Sequence, residues 1–378
     1  MPDRVVIVGA GLAGSRCALT LRAEGFEGEV VLIGEEPHPP YERPALSKAF
    51  LGGTREELAL PADWGASDIR LVLDTRVEQV DPDRERVRTA GGDHPWDALV
   101  LATGARPRSL PDVDGQGVHV LRTRADAERL RAELVPGRRL AVVGAGFVGT
   151  EVASTALELG LQVALVDVER LPFERVLGTE VARILATRYR RHGVDLKLGA
   201  RVGRLRRDTA GRLRALILAD GTELPCDVVL VAVGVAPAGE LLHLPAGIPT
   251  DPAGRTSLRG VYACGDVAAP WHPAVGGHHR LEHWTSAADQ AGTVARAILG
   301  REPRGAPCPY FWSDQFGVRI QHMGVPTGWT RVVVEDDGDS LEARYLADGD
   351  RLVAALLLNR PRAAAELRRR LAAEALAA

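Results

Sequence analysis

The patterning of the 378 residues predicts an α/β chain, with two similar strand–turn–helix units followed by a small α+β domain built on an antiparallel sheet. Three observations carry this. A stretch near the N-terminus, "RVVIVGAGLAG" (Arg4 to Gly14), returns as "RLAVVGAGFVG" (Arg139 to Gly149). Each copy closes on a related apolar strand, "ALVLATG" (Ala98 to Gly104) and "VVLVAVG" (Val228 to Gly234). Beyond Pro309 the pattern changes to strands joined by Asp/Gly turns.

Taken in order, each copy runs from a buried strand into G-x-G-x-x-G and then into a helix-like run, "SRCALTLRAEG" in the first and "TEVASTALELG" in the second. A lone glycine triplet would mark only a turn. Here the strand before, the helix after and an acid at the end of the next strand are all present twice, which is the context a dinucleotide-binding fingerprint requires. In each triplet, Gly9, Gly11 and Gly14 or Gly144, Gly146 and Gly149, the first glycine permits the tight turn. The second lets backbone approach a pyrophosphate, and the third allows close helix–strand packing. Free N–H groups and the dipole at the helix start then favour phosphate. Two Rossmann-like dinucleotide-binding domains are therefore expected.

The strands after these helices, "EVVLIGEE" and "LQVALVDVE", end in Glu35 and Asp167. A carboxylate there accepts both hydroxyls of an adenosine ribose. Asp167 would repel a 2′-phosphate and so favours NADH, while the neighbouring Arg170 leaves NADPH possible. After Gly234 the chain is loop-rich, including a stretch "AGIPTDPAGRTS" that reads as a trimmed surface loop. Then come "VYACGDVA" and a helix with small residues on its packing face, expected to start near Thr285 or Ser286. The C-terminal region reads as an antiparallel meander through "WTRVVVEDDGDSLEARYL" and "EARYLADGDRLVAALLL", closed by a short Arg- and Ala-rich helix.

Composition narrows the classes. A chain of this length calls for two or three cores. With 46% hydrophobic and 26% charged residues it is an ordinary globular protein, and a net charge of −3 gives no reason to expect a nucleic-acid partner. No apolar run approaches the roughly 18 to 20 residues of a membrane span. "MPDR" leads straight into "VVIVGAG", which reads as strand and turn and not as a cleavable signal, so a cytoplasmic enzyme is expected. Cys17, Cys226, Cys264 and Cys308 are far apart and form neither a C-x-x-C nor a C-x4-C pair, which argues against disulfides and cysteine-rich metal sites. His272, His278, His279 and His283 match no standard metal spacing, and no metal is expected.

Of the 47 lysines and arginines only Lys48 and Lys197 are lysines. A compact ammonium and a planar guanidinium do different chemistry, so Lys48 in "YERPALSKAFL" is informative against this arginine-rich background.

The doubled fingerprint, "ATG" closing the first half, "YACGD", "EHWTSAADQ" and "FWSDQFG" together resemble the flavin-dependent ferredoxin reductases that serve Rieske dioxygenases and bacterial haem monooxygenases. The resemblance spans almost the whole chain and implies a glutathione reductase-like fold with FAD in the first unit and NAD(P)H in the second. The implied FAD domain is discontinuous, residues 1–108 and 237–309, with an NAD(P)H domain at 109–236 and the C-terminal domain at 310–378. By the same resemblance Asp266 holds the ribityl chain, and Glu282, His283 and Trp284 lie at the pyrimidine edge of the ring. Lys48 lies close to flavin N5 and pairs with Glu151, so that these two are the candidate catalytic residues. Ala13, Arg43, Val77, Ala102, Gly104 and Arg122, with Val148 and Gly234, complete the expected cofactor-lining set. Trp312 matches an aromatic position near the flavin. Ala45 departs from the family, which usually has a second proline there.

Related folds host disulfide reductases and peroxidases, so the fold alone does not choose an activity. Those enzymes need a cysteine pair, or one cysteine, facing the flavin between residues 35 and 55, and none occurs there. Hydride transfer from NADH to FAD, then single electrons to an acidic [2Fe–2S] ferredoxin, is the expected sequence, with the cofactor supplying the two-to-one conversion. Arg301 and Arg304, or "RYRRHG" from Arg188, are candidate docking cations. A diaphorase acting on quinones or oxygen, and an NADH-sensing flavoprotein resembling apoptosis-inducing factor, share the same motifs and stay open. The oligomeric state is not legible.

Overall fold

The computed structural model describes residues 2–272, 276–302, 308–325 and 327–376. Their contacts group into two units. The first comprises Met1–Glu42, Ala59–Arg106 and Ala236–Phe311; the second comprises Arg43–Leu58, Pro107–Val235 and Trp312–Ala378. Arg43–Leu58, which carries Lys48, thus groups with the second fingerprint, as does most of the C-terminal region.

In the first unit a five-stranded parallel sheet runs in the order Val261–Ala263, Ala98–Leu101, Arg4–Val8, Glu29–Ile33, Ile69–Val72. The central strand is an unbroken apolar run because both faces of the sheet are covered: Val5 and Ile7 pack with the helices, and Val6 and Val8 pack with Val77, Val80 and Val87 of an antiparallel sheet. Val5, Val6 and Ile7 are fully buried. The helices Leu12–Ala23 and Trp284–Ile298 pack together, their small residues Ala13, Gly14, Ala18, Ala287, Ala291 and Ala295 letting the backbones approach closely. A second, three-stranded antiparallel sheet follows (Val77–Asp81, Arg86–Thr89, Gly92–Pro95).

The second unit repeats this plan strand for strand. Its parallel sheet has the order Asp195–Leu198, Gln162–Asp167, Arg139–Val143, Val228–Val231, Val118–His119, and its antiparallel sheet is formed by Val202–Arg207, Leu213–Leu218 and Glu223–Pro225. The repeat therefore extends beyond the motifs visible in sequence to the antiparallel sheets. The C-terminal sheet orders its strands Tyr310–Gln315, Val318–Gly324, Leu352–Leu358, Leu341–Leu346, Arg331–Asp336, with the helix Pro361–Leu376 packed on its middle strand. The expected meander is the last three of these in sequence, paired antiparallel.

Two local expectations change. The helix expected near Thr285 begins at Trp284, with His283 as its N-cap. The stretch "AGIPTDPAGRTS" is more than a loop, since Ile248–Thr250 forms a short strand parallel to Ala268–His272, and Asp251 closes the turn by accepting the N–H groups of Ala253 and Arg255.

Candidate active site

At the first fingerprint Gly9 is held at φ +113° while its N–H donates to Ile33 O at 2.8 Å. A Cβ there would stand 2.1 Å from Ala102 O, and one on Gly14 would stand 2.0 Å from Gly9 O, so both positions exclude any side chain. Gly11 differs. It is the N-cap of the helix, has no side-chain cap, and a Cβ on it would meet nothing within 4 Å. The helix's first turn carries no acid, so its N–H groups face open space that suits a phosphate.

Around this loop, Gly265 (φ +76°) leaves room for Ala13, whose Cβ would be 2.8 Å from a Cβ at Gly265. Gln290 accepts the Gly265 N–H at 3.0 Å. Asp266 follows in the short 3-10 turn Gly265–Val267, and its carbonyl accepts from Arg280 at 3.2 Å. Glu282 pairs with Arg280 at 2.8 Å. Burial pushes the His283 imidazole down to about 4, so at neutral pH it is uncharged. Val77 opens the antiparallel sheet and is buried, as is Ala102; Gly104 turns at φ +73° and accepts from Ala238 N–H at 2.9 Å. Glu35 is exposed and 3.5 Å from Arg76.

The second fingerprint reproduces this geometry. Gly144 sits at φ +109° with a Cβ position 2.3 Å from Ala232 O, and Gly149 would place one 2.0 Å from Gly144 O. Gly146 is an uncapped N-cap open to 4 Å, again with no acid in the first turn. Val148 is 42% exposed on that turn, and Gly234 adopts φ +97° at the end of the closing strand. Asp167 turns its carboxylate back onto the loop, accepting the Ala145 N–H at 2.5 Å and the Glu169 N–H at 2.8 Å.

Strand pairing separates the two acids. Val8 pairs with Ile33 and Val143 with Val166, so Asp167 is the counterpart of Gly34, and Glu35 is the counterpart of Val168. Both acids close the strand after their helix in sequence, but the register sets them one position apart.

Lys48 and Glu151 are brought together. The Lys48 Nζ lies 2.6 Å from Glu151 Oε2 and donates to Pro44 O at 3.1 Å. Glu151 lies in the second turn of the helix Phe147–Glu158 and is only 6% exposed, so it is neither a first-turn acid nor a solvated one. Two residues not anticipated from sequence complete its shell, the Ser47 hydroxyl on Oε2 at 2.5 Å and the Ser313 hydroxyl on Oε1 at 2.6 Å. Lys48 follows a 3-10 turn, Arg43–Ser47, in which Ala45 is buried. Thr155 ties this turn to the helix by donating to Ser47 O at 2.8 Å, and Arg43 donates to Arg122 O at 2.7 Å. Trp312 has the Arg319 guanidinium 5.8 Å from its ring.

Burial holds three of the four thiols protonated. It pushes Cys226 and Cys264 up to about 12, and Cys17 well above its ordinary value with Cys264 as a lesser cause. Neutral thiols are poor nucleophiles. Among the described residues no cluster of His, Cys, Asp or Glu could hold a metal, and no helix is long and apolar enough to cross a membrane. Of the candidate docking cations, Arg301 is paired with Glu24 and Arg188 with Asp336, Arg190 and Arg191 are exposed, and Arg304 lies outside the described residues.

A doubled dinucleotide fold with an ion pair beside one fingerprint and no cysteine between residues 35 and 55 defines a two-nucleotide oxidoreductase. The chain belongs to the pyridine nucleotide-disulphide oxidoreductase family, whose profile matches residues 3–291, and residues 310–377 match the reductase C-terminal family. It is 36% identical over 377 residues to putidaredoxin reductase of Pseudomonas putida, covering 95% of this chain and 89% of that protein. It is 37% identical over 351 residues to the ferredoxin–NAD(+) reductase component of the biphenyl dioxygenase system of Paraburkholderia xenovorans (strain LB400), covering 90% and 85%. The solved covalent putidaredoxin reductase–putidaredoxin complex aligns at a TM-score of 0.94 with 34% identity, over 98% of this chain and 93% of that one.

Proposed function

We infer that the chain is an FAD-dependent NADH:ferredoxin oxidoreductase that passes electrons singly to a [2Fe–2S] ferredoxin serving an oxygenase. The observation that carries this is the likeness along nearly the whole chain to reductases named for that reaction, 36% identity over 377 residues in one case. When bound, FAD supplies the conversion between a hydride and single electrons. The residues fit two nucleotides: Gly11 and Gly146 each leave an open, uncapped helix start for a pyrophosphate.

In this reading residues 1–108 and 237–309 form the FAD domain, 109–236 the NADH domain and 310–378 the C-terminal domain. The first glycine triplet, Glu35, Asp266 and the segment Glu282–Trp284 serve FAD; the second triplet, Val148 and Asp167 serve NADH. Lys48 and Glu151 orient the nicotinamide for hydride transfer, chiefly a proximity effect. The absence of cysteine between residues 35 and 55 supports a route that avoids thiols. A cytoplasmic location belongs to the same reading, supported by NADH as donor and by four free cysteines.

The test is anaerobic stopped-flow reduction of the FAD-reconstituted protein by NADH, followed by mixing with a [2Fe–2S] ferredoxin. Rapid bleaching of the flavin and stoichiometric ferredoxin reduction are expected. A flavin that NADH does not bleach refutes the reading. Fast NADH oxidation that bypasses ferredoxin in favour of quinone or oxygen would replace it with a diaphorase.

A further inference from the structure

Glu151 is held by two separate pieces of chain, neither of which carries any part of a fingerprint. Its Oε2 receives Ser47 and Lys48 from the segment after "RP", and its Oε1 receives Ser313. Ser313 lies on the strand Tyr310–Gln315 and is completely buried. Gln315, two residues along and therefore on the same face of the strand, donates its Nε2 to Ser313 Oγ at 3.0 Å. An amide NH2 can only donate, so the hydroxyl must accept from Gln315 and send its single proton to Glu151. The direction of the chain Gln315 to Ser313 to Glu151 is thus fixed. One turn further along the helix, Ser154 Oγ accepts the N–H of Phe316 at 2.7 Å, which keeps the end of the strand in register with the helix.

We propose that Ser313 is a positioning residue for hydride transfer, setting the plane of the Glu151 carboxylate so that Oε2 meets the Lys48 ammonium. This rests on the reading of Lys48 and Glu151 as the pair that orients the nicotinamide. A carboxylate turns about a broad terminal torsion and has no intrinsic preferred plane, so its orientation comes from its donors. Glu151 has three, and among the described residues Ser313 alone acts on Oε1. Removing it leaves a buried carboxylate oxygen undersatisfied and lets the group rotate away from Lys48. The C-terminal region would then contribute to the NADH half of the reaction as well as to any contact with ferredoxin.

The experiment uses the FAD-loaded Ser313→Ala protein and follows flavin reduction over a range of NADH concentrations, separating the limiting rate constant from the NADH dissociation constant. The expected result is a limiting rate about tenfold lower, the size of one lost charge-assisted hydrogen bond, with NADH affinity changed less than about twofold. Ser313→Thr, which keeps the hydroxyl, should recover most of the rate. In a Glu151→Gln background Ser313→Ala should add little, because the carboxylate it positions is gone. Should Ser313→Ala fail to retain FAD, Ser313→Cys carries the same comparison with a similar volume and a weak donor.

An unchanged limiting rate in Ser313→Ala overturns the proposal while leaving the proposed function intact, as does a full additive loss in the Glu151→Gln background. Wild-type protein that NADH fails to reduce removes the reading beneath it, and that outcome is visible before any variant is made.

Discussion

Replacing Asp167 with alanine separates the loop bonds its carboxylate makes from the cofactor choice proposed for it. Oδ2 holds the Ala145 N–H inside the glycine loop and Oδ1 holds the Glu169 N–H. Both bonds exist within the chain itself, so their loss should weaken every nucleotide that uses the loop. With a hydrogen bond to a charged group worth roughly 1.5–3 kcal/mol, the shared penalty is on the order of 2 kcal/mol after partial replacement by water. The discriminating part comes on top. NADH loses a charged acceptor for its ribose diol, while NADPH is relieved of a like charge beside its 2′-phosphate. At about 5 Å and an effective dielectric near 20 that repulsion is roughly 3 kcal/mol per unit charge, and the half-exposed position of Asp167 reduces it further. The ratio of NADPH to NADH dissociation constants should therefore fall about ten- to a hundredfold, with both constants rising. The assay is the concentration dependence of anaerobic flavin reduction with each nucleotide. If both affinities fall and their ratio stays put, Asp167 serves only the loop and the reasoning about cofactor choice is refuted.

Three further outcomes are expected. Lys48→Ala and Glu151→Gln should each slow flavin reduction by roughly 10- to 100-fold while FAD remains bound, since each removes one half of a pair with a 2.6 Å contact; reduction at wild-type rates in both would sink the role assigned to the pair. Gly144→Ala should cost about 3 kcal/mol or more, because φ +109° and a Cβ 2.3 Å from Ala232 O are both incompatible with a side chain. Gly146→Ala, at a position open to 4 Å, should leave thermal unfolding nearly unchanged yet weaken NADH binding, and the two variants compared by melting and titration test that contrast. Asp227→Asn should destabilise the protein by about 1–3 kcal/mol at neutral pH, since its carboxylate accepts the Arg139 N–H, Nε and Nη2. The Arg139 guanidinium holds the Asp227 carboxyl below the usual carboxylate range, so this stabilisation is present above the unfolded value near 4 and is lost as pH falls through the lower folded value. Urea midpoints for both proteins should accordingly converge in acid; a constant gap would show that the charge is not responsible.

The glycine fingerprints were readable because each is a local device: strand, turn and helix start lie within about eleven residues, and the steric demands at Gly9 and Gly144 leave no substitute. The C-terminal meander was readable for a similar reason, through its Asp/Gly turns. The antiparallel sheets Val77–Pro95 and Val202–Pro225 were not. Their outward faces are charged, the alternation in "RVRT" lasts only four residues, and a register shift at Gly203 breaks it in "VGRLRR". Glu151 was identifiable as a partner for Lys48, but Ser313 stands 162 residues from it, and a lone serine in a strand carries no signal of what it touches. The motif "FWSDQFG" contained that serine, and only the burial pattern of its strand, with Phe311, Ser313 and Gln315 on one face, picks it out.

The displaced acids illustrate how a duplicated scaffold can treat two nucleotides differently. In both units the second strand is anchored in the same way: Gly9 and Gly144 donate to Ile33 and Val166, and Thr75 and Ala200 donate to Gly34 and Asp167. At this matched position the first unit has no side chain, and a Cβ on Gly34 would come within 2.6 Å of the Ala10 Cβ. The second unit has a carboxylate bonded to Ala145, the counterpart of Ala10. A Gly34→Asp substitution would therefore have to displace Ala10 before it could imitate Asp167, and the loop in the first unit is not shaped to accept it. Any carboxylate reaching a nucleotide there must come from the next residue, Glu35, which is exposed and bonded to neither loop N–H. In the proposed reading the prefastened Asp167 serves the site where a nucleotide must be told apart from its phosphorylated analogue, and Glu35, exposed beside Arg76, serves the site that has no such choice to make.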